Sequence, residues 1–241
     1  MLIDSPENKE KILTQFLQIA AFEGWSEETI LKALDNCQIN RYFLPLIFEN
    51  GILDLIEFYI ESQNHKSLEL LESLEGKKIR DKIRLALYAR FEVEKNNKIA
   101  LQRLVNFYIN PKNLLSVKTG IRPVIYALKD CYKISDFIWK TINDQSTDFN
   151  FYTKRLTLGK IILRSLFVFV KDEDENFQKT RNRIDIEIEK VMKFEKLKHQ
   201  TKNFSTKLQK TFCEIILDEK GLVKSPKELV KNLPFIRLIK F

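Results

Sequence analysis

Glycine and proline are scarce in this chain, and their scarcity constrains its fold more than any other feature. The sequence has six of each in 241 residues. Sandwiches and barrels need frequent turns between short strands, whereas the long stretches here, rich in Leu, Ile, Lys, Glu and Gln, favour helices. With 44% hydrophobic residues, the chain can bury one substantial core or at most two small ones. The sequence therefore predicts an all-α protein.

The spacing of apolar residues predicts about ten helices. The first runs from Glu7 to Phe22 and ends at Gly24, and Ser26 caps the second. A short third helix is expected over Arg41–Phe48 and a long fourth over Gly51–Leu74. Further helices are predicted at 77–94, 97–109, 112–131, 134–143, 150–171 and 176–198.

No internal repeat or low-complexity linker interrupts this pattern, which indicates a single helical domain over residues 1–218. Within it we expect a helix-turn-helix-like part at 1–50, a larger helical body at 51–200 and an amphipathic helix at 202–217. Residues 219–241 form a tail that either contacts a bilayer or packs in a neighbouring groove.

The order of the first four helices resembles the amino-terminal part of TetR-type transcription regulators. Binding of DNA requires Lys and Arg along the docking face. Although the whole chain carries a net charge of +8, residues 1–60 carry −6, and the basic excess of +7 lies at 196–241. The segment in the recognition position has one cation, Arg41, and Pro45 in its middle. The sequence therefore disfavours DNA binding through this element.

Catalytic signatures are mostly absent: there is no phosphate-binding glycine loop, dinucleotide fingerprint, HExxH motif or nucleophile elbow. The only histidines, His65 and His199, follow Glu61 and Glu195 by four positions. Carboxylate–histidine metal motifs in helix bundles use a spacing of three. These pairs therefore indicate solvated helix faces, and we predict a protein without catalytic activity, cofactor or metal.

The cysteines and the amino terminus bear on location. Cys37, Cys131 and Cys213 are far apart, which is typical of free thiols in a reducing compartment. The start, MLIDSPENKE, resembles neither a secretory signal nor a transit peptide. No run of eighteen apolar residues occurs that would span a membrane. We therefore expect a cytosolic protein.

The segment Asp144–Arg155, DQSTDFNFYTKR, combines capping side chains with aromatic and basic ones. Ser, Thr, Asp and Asn accept the unpaired amide hydrogens at the start of a helix, so this run closes a loop and opens a helix. From Phe151 onward, apolar residues recur at helical spacing and indicate a helix inserted in a core. By the residues alone, this is an ordinary capped core helix.

This segment also resembles the family of ubiquinone (coenzyme Q) biosynthesis accessory proteins, the lipid-binding "Coq nine" group. Its members carry a nearly identical DQSTDFN, an aromatic pair, then Thr and two basic residues. The resemblance covers roughly residues 10–217, most specifically 139–155 and more loosely GWSEETI at residues 24–30. It implies a TetR-like fold and a homodimer that binds isoprenoid quinone intermediates and presents them to the di-iron demethoxyubiquinone hydroxylase. It implies a bacterial member, peripheral on the inner membrane, whose eukaryotic relatives lie on the mitochondrial matrix side.

The resemblance also implies a surface that docks the hydroxylase. Its candidate residues are the aromatic pair Phe151 and Tyr152, with Asp148 and Arg155 as flanking charges. Phe151 stands where relatives carry Trp, so an indole hydrogen bond is lost. If Tyr152 faces the core, Phe151 lies about 100° away from it around the helix. Phe151 is therefore the expected exposed anchor.

Two further sets of residues are candidates for contact with lipid. Leu156, Leu163 and Phe167 are assigned to a lipid cavity by their face of the helix, and they fit a plain core equally well. Near the carboxyl end, five apolar residues fall within an arc of about 120° and form a cationic amphipathic helix, which the pattern alone places either on the body or on a membrane. The resemblance implies membrane contact through these five: Phe204, Leu208, Phe212, Ile215 and Ile216.

A protein of another class remains an alternative to the lipid-presenting one. A TetR-type regulator that senses an apolar ligand would share the helical fold and the ligand cavity. The charge of the amino-terminal part disfavours it.

Overall fold

The computed structural model describes residues 3–110, 123–146 and 149–200. Over these residues it contains nine α-helices and no strand, which confirms the all-α class with fewer helices than the ten predicted for the whole chain. None of the described helices is sufficiently long and apolar to cross a membrane. The helices are α1 Pro6–Glu23, α2 Glu27–Asn36, α3 Leu44–Ile47, α4 Ile52–Glu69, α5 Ile79–Val93, α6 Lys98–Ile109, α7 Pro123–Thr141, α8 Phe149–Phe169 and α9 Gln178–Gln200.

Local capping sets the ends of α1 and α2. The backbone of Gly24 has φ +89°, a conformation that side chains rarely adopt, and its amide donates to Ala20 to end α1. Ser26 then accepts a hydrogen bond from the amide of Thr29 at 3.1 Å and starts α2. Both ends lie where the sequence predicts them.

The predicted third helix is shorter than expected. A 3₁₀ turn occupies Arg41–Phe43, and α3 adds only four residues. The guanidinium of Arg41 is paired with Asp35, with Nε donating to Oδ1 at 2.9 Å. The single cation of this segment is therefore already bound by a carboxylate, which adds to the argument against DNA binding here.

The predicted break between helices at 112–131 and 134–143 is wrong. Helix α7 continues from Pro123 to Thr141, while residues 111–122 lie outside the described part. The hydroxyl of Ser135 is buried and donates to the carbonyl of Arg155 at 2.8 Å, and Asp136 accepts from the guanidinium of the same arginine. These polar residues join α7 to α8 instead of capping a new helix.

Contacts between helices and turns form the core. The buried indole of Trp25 donates to the carbonyl of Ala100 at 2.7 Å, which ties the α1–α2 turn to α6. At the other end α7 packs against α8, and α8 against α9. Gly159 of α8 faces α7, where an added Cβ would lie 3.5 Å from the carbonyl oxygen of Cys131, an ordinary contact distance.

Candidate functional site

A cavity of about 400 Å³ lies between α4, α5, α6, α7 and α8. Most of its wall is made of aliphatic and aromatic side chains. A cavity of this size and character is suited to binding a small apolar molecule. The buried part of the wall includes Leu87, Leu101, Leu104, Val105, Ile134 and Ile162.

Two buried polar clusters stand in this wall, and the first joins α4 to α5. The carboxylate of Glu94 accepts from the hydroxyl of Tyr59 and from the guanidinium of Arg90, whose Nε also donates to Asn64 at 3.1 Å. Burial, with the charge of Glu94, raises the pKa of Tyr59 well above its ordinary value. Because these polar groups form hydrogen bonds with one another, the cavity keeps its apolar character.

The second cluster joins α6 to α7. The hydroxyl of Tyr108 donates to Asp130 at 2.6 Å. Burial raises the pKa of Asp130 to about 6, although the bond from Tyr108 and the charge of Lys133 act in the opposite direction. Burial also raises the pKa of the neighbouring Cys131 to about 12. The Cys131 thiol therefore keeps its proton at neutral pH and is a poor nucleophile.

The chemistry of this wall favours binding of a hydrocarbon. Burial of apolar surface is the main source of binding free energy at such a site. An apolar cavity of about 150 Å³ holds one benzene, so this cavity of about 400 Å³ has room for roughly 15 carbon atoms, or about three isoprene units. Among the described residues, no group of three or more His, Cys, Asp or Glu is placed to hold a metal ion.

The cavity reaches the surface where its lining residues are exposed. Ile109 on α6, Leu128 on α7 and Phe167 on α8 all line it, and their exposed fractions are 45%, 42% and 42%. These three residues form the part of the wall that is open to solvent. We refer to these three residues as the mouth.

Two of the three residues that the sequence assigned to a lipid cavity line the cavity of the structure. Leu163 and Phe167 line the cavity, whereas the half-buried Leu156 does not. Most of the wall comes from α4 to α7, which the sequence did not single out. The signal was missing because an apolar helix face has the same spacing whether it meets another helix or encloses space.

Arg155 is not the surface charge that the sequence suggested. Its side chain is only 2% exposed, with Nε 2.5 Å from Asp136 and Nη1 3.4 Å from Asp144. Nη1 also donates to the carbonyl of Phe151 at 3.0 Å. Burial disfavours the charged carboxylates, but hydrogen bonds from Lys140 and Arg155 to Asp136, and from Lys154 to Asp144, outweigh burial and lower both pKa values. Arg155 therefore fastens the start of α8 to α7.

The aromatic pair lies in the first turn of α8. The rings of Phe151 and Tyr152 meet edge to face at 5.0 Å, and both residues are half-buried. The guanidinium of Arg155 stacks 3.3 Å from the centroid of the Phe151 ring. Phe151 is thus less exposed than expected, and the role of this pair in docking stays a prediction. Asp148 and the five predicted membrane-contact residues, Phe204, Leu208, Phe212, Ile215 and Ile216, lie outside the described residues.

Comparison with known proteins identifies relatives over most of the chain. The COQ9 family model matches residues 124–195, which span nearly all of α7, all of α8 and most of α9. The chain is 24% identical over 193 residues to "Ubiquinone biosynthesis protein COQ9, mitochondrial" of Xenopus tropicalis, which covers 76% of this chain and 57% of that protein. The protein of the same name from Homo sapiens is 24% identical over 176 residues, covering 71% and 54%.

A third relative comes from another organism. "Probable ubiquinone biosynthesis protein coq9, mitochondrial" of Dictyostelium discoideum is 22% identical over 201 residues, which cover 80% of this chain and 62% of that protein. The matched region thus spans less than two thirds of the length of these curated relatives. The family match and the relatives agree with each other, and over most of its length this chain is similar to COQ9 proteins.

Proposed function

We propose that this chain is a non-catalytic lipid-binding protein of ubiquinone biosynthesis, which holds the isoprenoid tail of a quinone intermediate between α4 and α8. The observation that carries the proposal is the apolar cavity of about 400 Å³. An isoprenoid tail offers only apolar surface, and this wall is suited to bury it. The relatives are named for ubiquinone biosynthesis, which supports a role in this pathway.

The polar groups of the wall support binding rather than catalysis. Tyr59, Arg90 and Glu94 are bound to one another, and Tyr108 is bound to Asp130. A general base or nucleophile must reach its substrate and be in the reactive protonation state. In this role the protein supplies the substrate, and an enzyme of the pathway supplies the chemistry.

Mass spectrometry of the organic extract from the natively purified full chain tests this function. We expect near-stoichiometric isoprenoid quinone or polyprenyl phenol. Ala127 lines the cavity, so a phenylalanine there would occupy the space of the tail. Ala127→Phe should therefore lose the isoprenoid while its background of bulk phospholipid stays the same. An empty wild-type protein, or an equal amount of isoprenoid in both proteins, would contradict the proposal.

The lipid would be presented to the di-iron hydroxylase at the first turn of α8. Aromatic residues dominate the binding energy of many interfaces, and the guanidinium of Arg155 stacks on the ring of Phe151. We expect Phe151→Asp to weaken co-purification of the hydroxylase by about tenfold or more. Phe22→Asp is the matched control, because Phe22 is 83% exposed on α1. Undiminished co-purification by a folded Phe151→Asp variant would argue against this surface.

Membrane contact belongs to the same proposal and rests on the amphipathic pattern of residues 202–217. A helix with an apolar arc and lysines outside it binds a bilayer surface without crossing it. Deletion of residues 202–241 should abolish binding to liposomes that contain anionic lipid. If the truncated and full-length chains bind liposomes equally, the membrane contact lies elsewhere.

A further inference from the structure

A basic groove lies between α8 and α9, beside the mouth of the cavity. Arg164 reaches it from α8, Lys171 from the turn that follows α8, and Lys179 and Arg183 from α9. Phe167 and Val168 complete its wall. We refer to this set of residues as the basic groove.

The cations of the basic groove exceed the carboxylates that bind them. The carboxylate of Glu187 forms ion pairs with Arg164 at 3.0 Å, Arg183 at 3.3 Å and a third cation, Lys190, at 3.0 Å. Burial disfavours the charge of Glu187, but hydrogen bonds from Lys190 and Arg164 prevail and lower its pKa. One carboxylate is thus shared among three cations, so the groove retains net positive charge.

The arginines of the basic groove also carry hydrogen-bond donors that do not contact Glu187. Both arginines contact Glu187 through Nη1, and a guanidinium carries further donors on Nε and Nη2. Within the described part of the chain, Lys171 and Lys179 form no ion pair, and both are exposed. Arginine forks and lysine ammonium groups together are the chemistry that binds phosphate oxygens.

Phe167 connects the basic groove to the cavity. Its side chain lines both of them and is 42% exposed. A hydrocarbon chain that fills the cavity and leaves by the mouth therefore passes Phe167 and arrives beside the four cations. One amphiphile can place its chain in the cavity and its head group in the groove.

We infer that the basic groove binds a phosphate head group of an isoprenoid lipid whose hydrocarbon chain occupies the cavity. The inference rests on the proposed function for the chain-binding part and adds a ligand class, isoprenoid phosphates. Arg164 and Arg183 hold the phosphate oxygens, and Lys171 and Lys179 neutralise its remaining charge.

Calorimetric titration of the delipidated full chain with three probes tests the inference. Farnesyl diphosphate carries both chain and head, farnesol carries the chain alone, and inorganic pyrophosphate carries the head alone. The three-isoprene chain matches the capacity estimated for the cavity. We expect farnesyl diphosphate to bind about tenfold or more tightly than farnesol at low salt, because charge-assisted hydrogen bonds add to the apolar contact. This advantage should shrink as salt rises.

Two double variants assign the advantage to the groove. Lys171→Gln/Lys179→Gln should remove most of the advantage of farnesyl diphosphate and leave the affinity for farnesol unchanged. Lys11→Gln/Lys77→Gln is the charge-matched control, since both lysines are exposed and neither lines the groove. The control should retain the full advantage.

The outcomes separate this inference from the function on which it rests. Equal affinity of wild type for the two lipids, or an advantage that survives Lys171→Gln/Lys179→Gln, overturns the inference and leaves the cavity intact. Pyrophosphate that binds as tightly as farnesyl diphosphate also overturns it, because the chain would then contribute nothing. Failure of both lipids to bind overturns the proposed function itself.

Discussion

Arg155 joins the start of α8 to α7 through a guanidinium that is paired with two carboxylates. Its position in a mixed polar and aromatic segment suggested a surface charge, whereas its guanidinium is buried. Its partners are Asp136 within α7 and Asp144 in the following loop, 19 and 11 positions away. Sequence spacing gives no information on such a contact between helices. The start of α8 was predicted, but what holds it in place was not.

Replacement of Arg155 should therefore destabilise the fold. Arg155→Met leaves the carboxylates of Asp136 and Asp144 without their buried partner, and we expect a loss of about 3 kcal/mol in the free energy of unfolding. Lys140→Met is the control, because Lys140 pairs with the same Asp136 but is 71% exposed. Its loss should be below about 0.5 kcal/mol. Urea denaturation measures both, and similar losses would mean that burial of Arg155 contributes little.

Asp130 should make stability depend on pH. Burial raises its pKa from 3.8 to about 6. Because the folded-state value lies above the unfolded one, folding favours the protonated acid, so its contribution is full below about pH 4 and is lost as pH rises through about 6. The change is on the order of 3 kcal/mol at most.

Denaturation across this pH range tests the assignment with two variants. Asp130→Asn cannot ionise and should lack the fall in stability between about pH 4 and pH 7, so its stability relative to wild type rises over that interval. The exposed Asp4→Asn should follow the wild-type profile. Parallel profiles for wild type and Asp130→Asn would show that Asp130 is not the group responsible.

At the level of helices, the sequence predicts ends where the capping is local and fails where polar residues serve another helix. Gly24 and Ser26 act on their own helices, and both ends were predicted correctly. A helix start was predicted at 134, inside α7, where the polar residues Ser135 and Asp136 lie. They bind α8 instead, which sequence periodicity cannot distinguish from capping.

The α7–α8 contact also predicts the effect of substitution at Gly159. An added Cβ would sit 3.5 Å from the carbonyl oxygen of Cys131, an ordinary contact distance. Gly159→Ala should therefore gain up to about 1 kcal/mol, the difference in helix propensity. Gly159→Leu should instead lose about 1–3 kcal/mol, because its longer side chain meets the backbone of α7. Thermal denaturation checks the sign, and a stabilising Gly159→Leu would mean that α7 and α8 are less closely packed than described.

For the whole molecule, the sequence predicted the fold class but did not locate the cavity. Five helices contribute to the cavity, and contacts among five helices cannot be obtained from the period of any one of them. Leu163 and Phe167 were identified because they lie on the inner face of α8, while Leu156, nearer its start, lies outside the cavity. The mouth and the basic groove depend on how α6, α7, α8 and α9 are arranged, which no local pattern encodes.

The cavity should also be visible in the stability of the whole protein. Farnesol at about 100 times its dissociation constant should add about 2.7 kcal/mol, which raises the Tm by about 5–10 °C for a chain of this size. Ala127→Phe places a ring in existing apolar space, so its Tm without ligand should equal or exceed that of wild type, and farnesol should no longer raise it. Ala100→Phe is the control, because Ala100 is 2% exposed and lies outside the cavity wall. Overpacking there should cost about 1–3 kcal/mol. If Ala127→Phe is as destabilising as Ala100→Phe, the space between α4 and α8 is not available to a ligand.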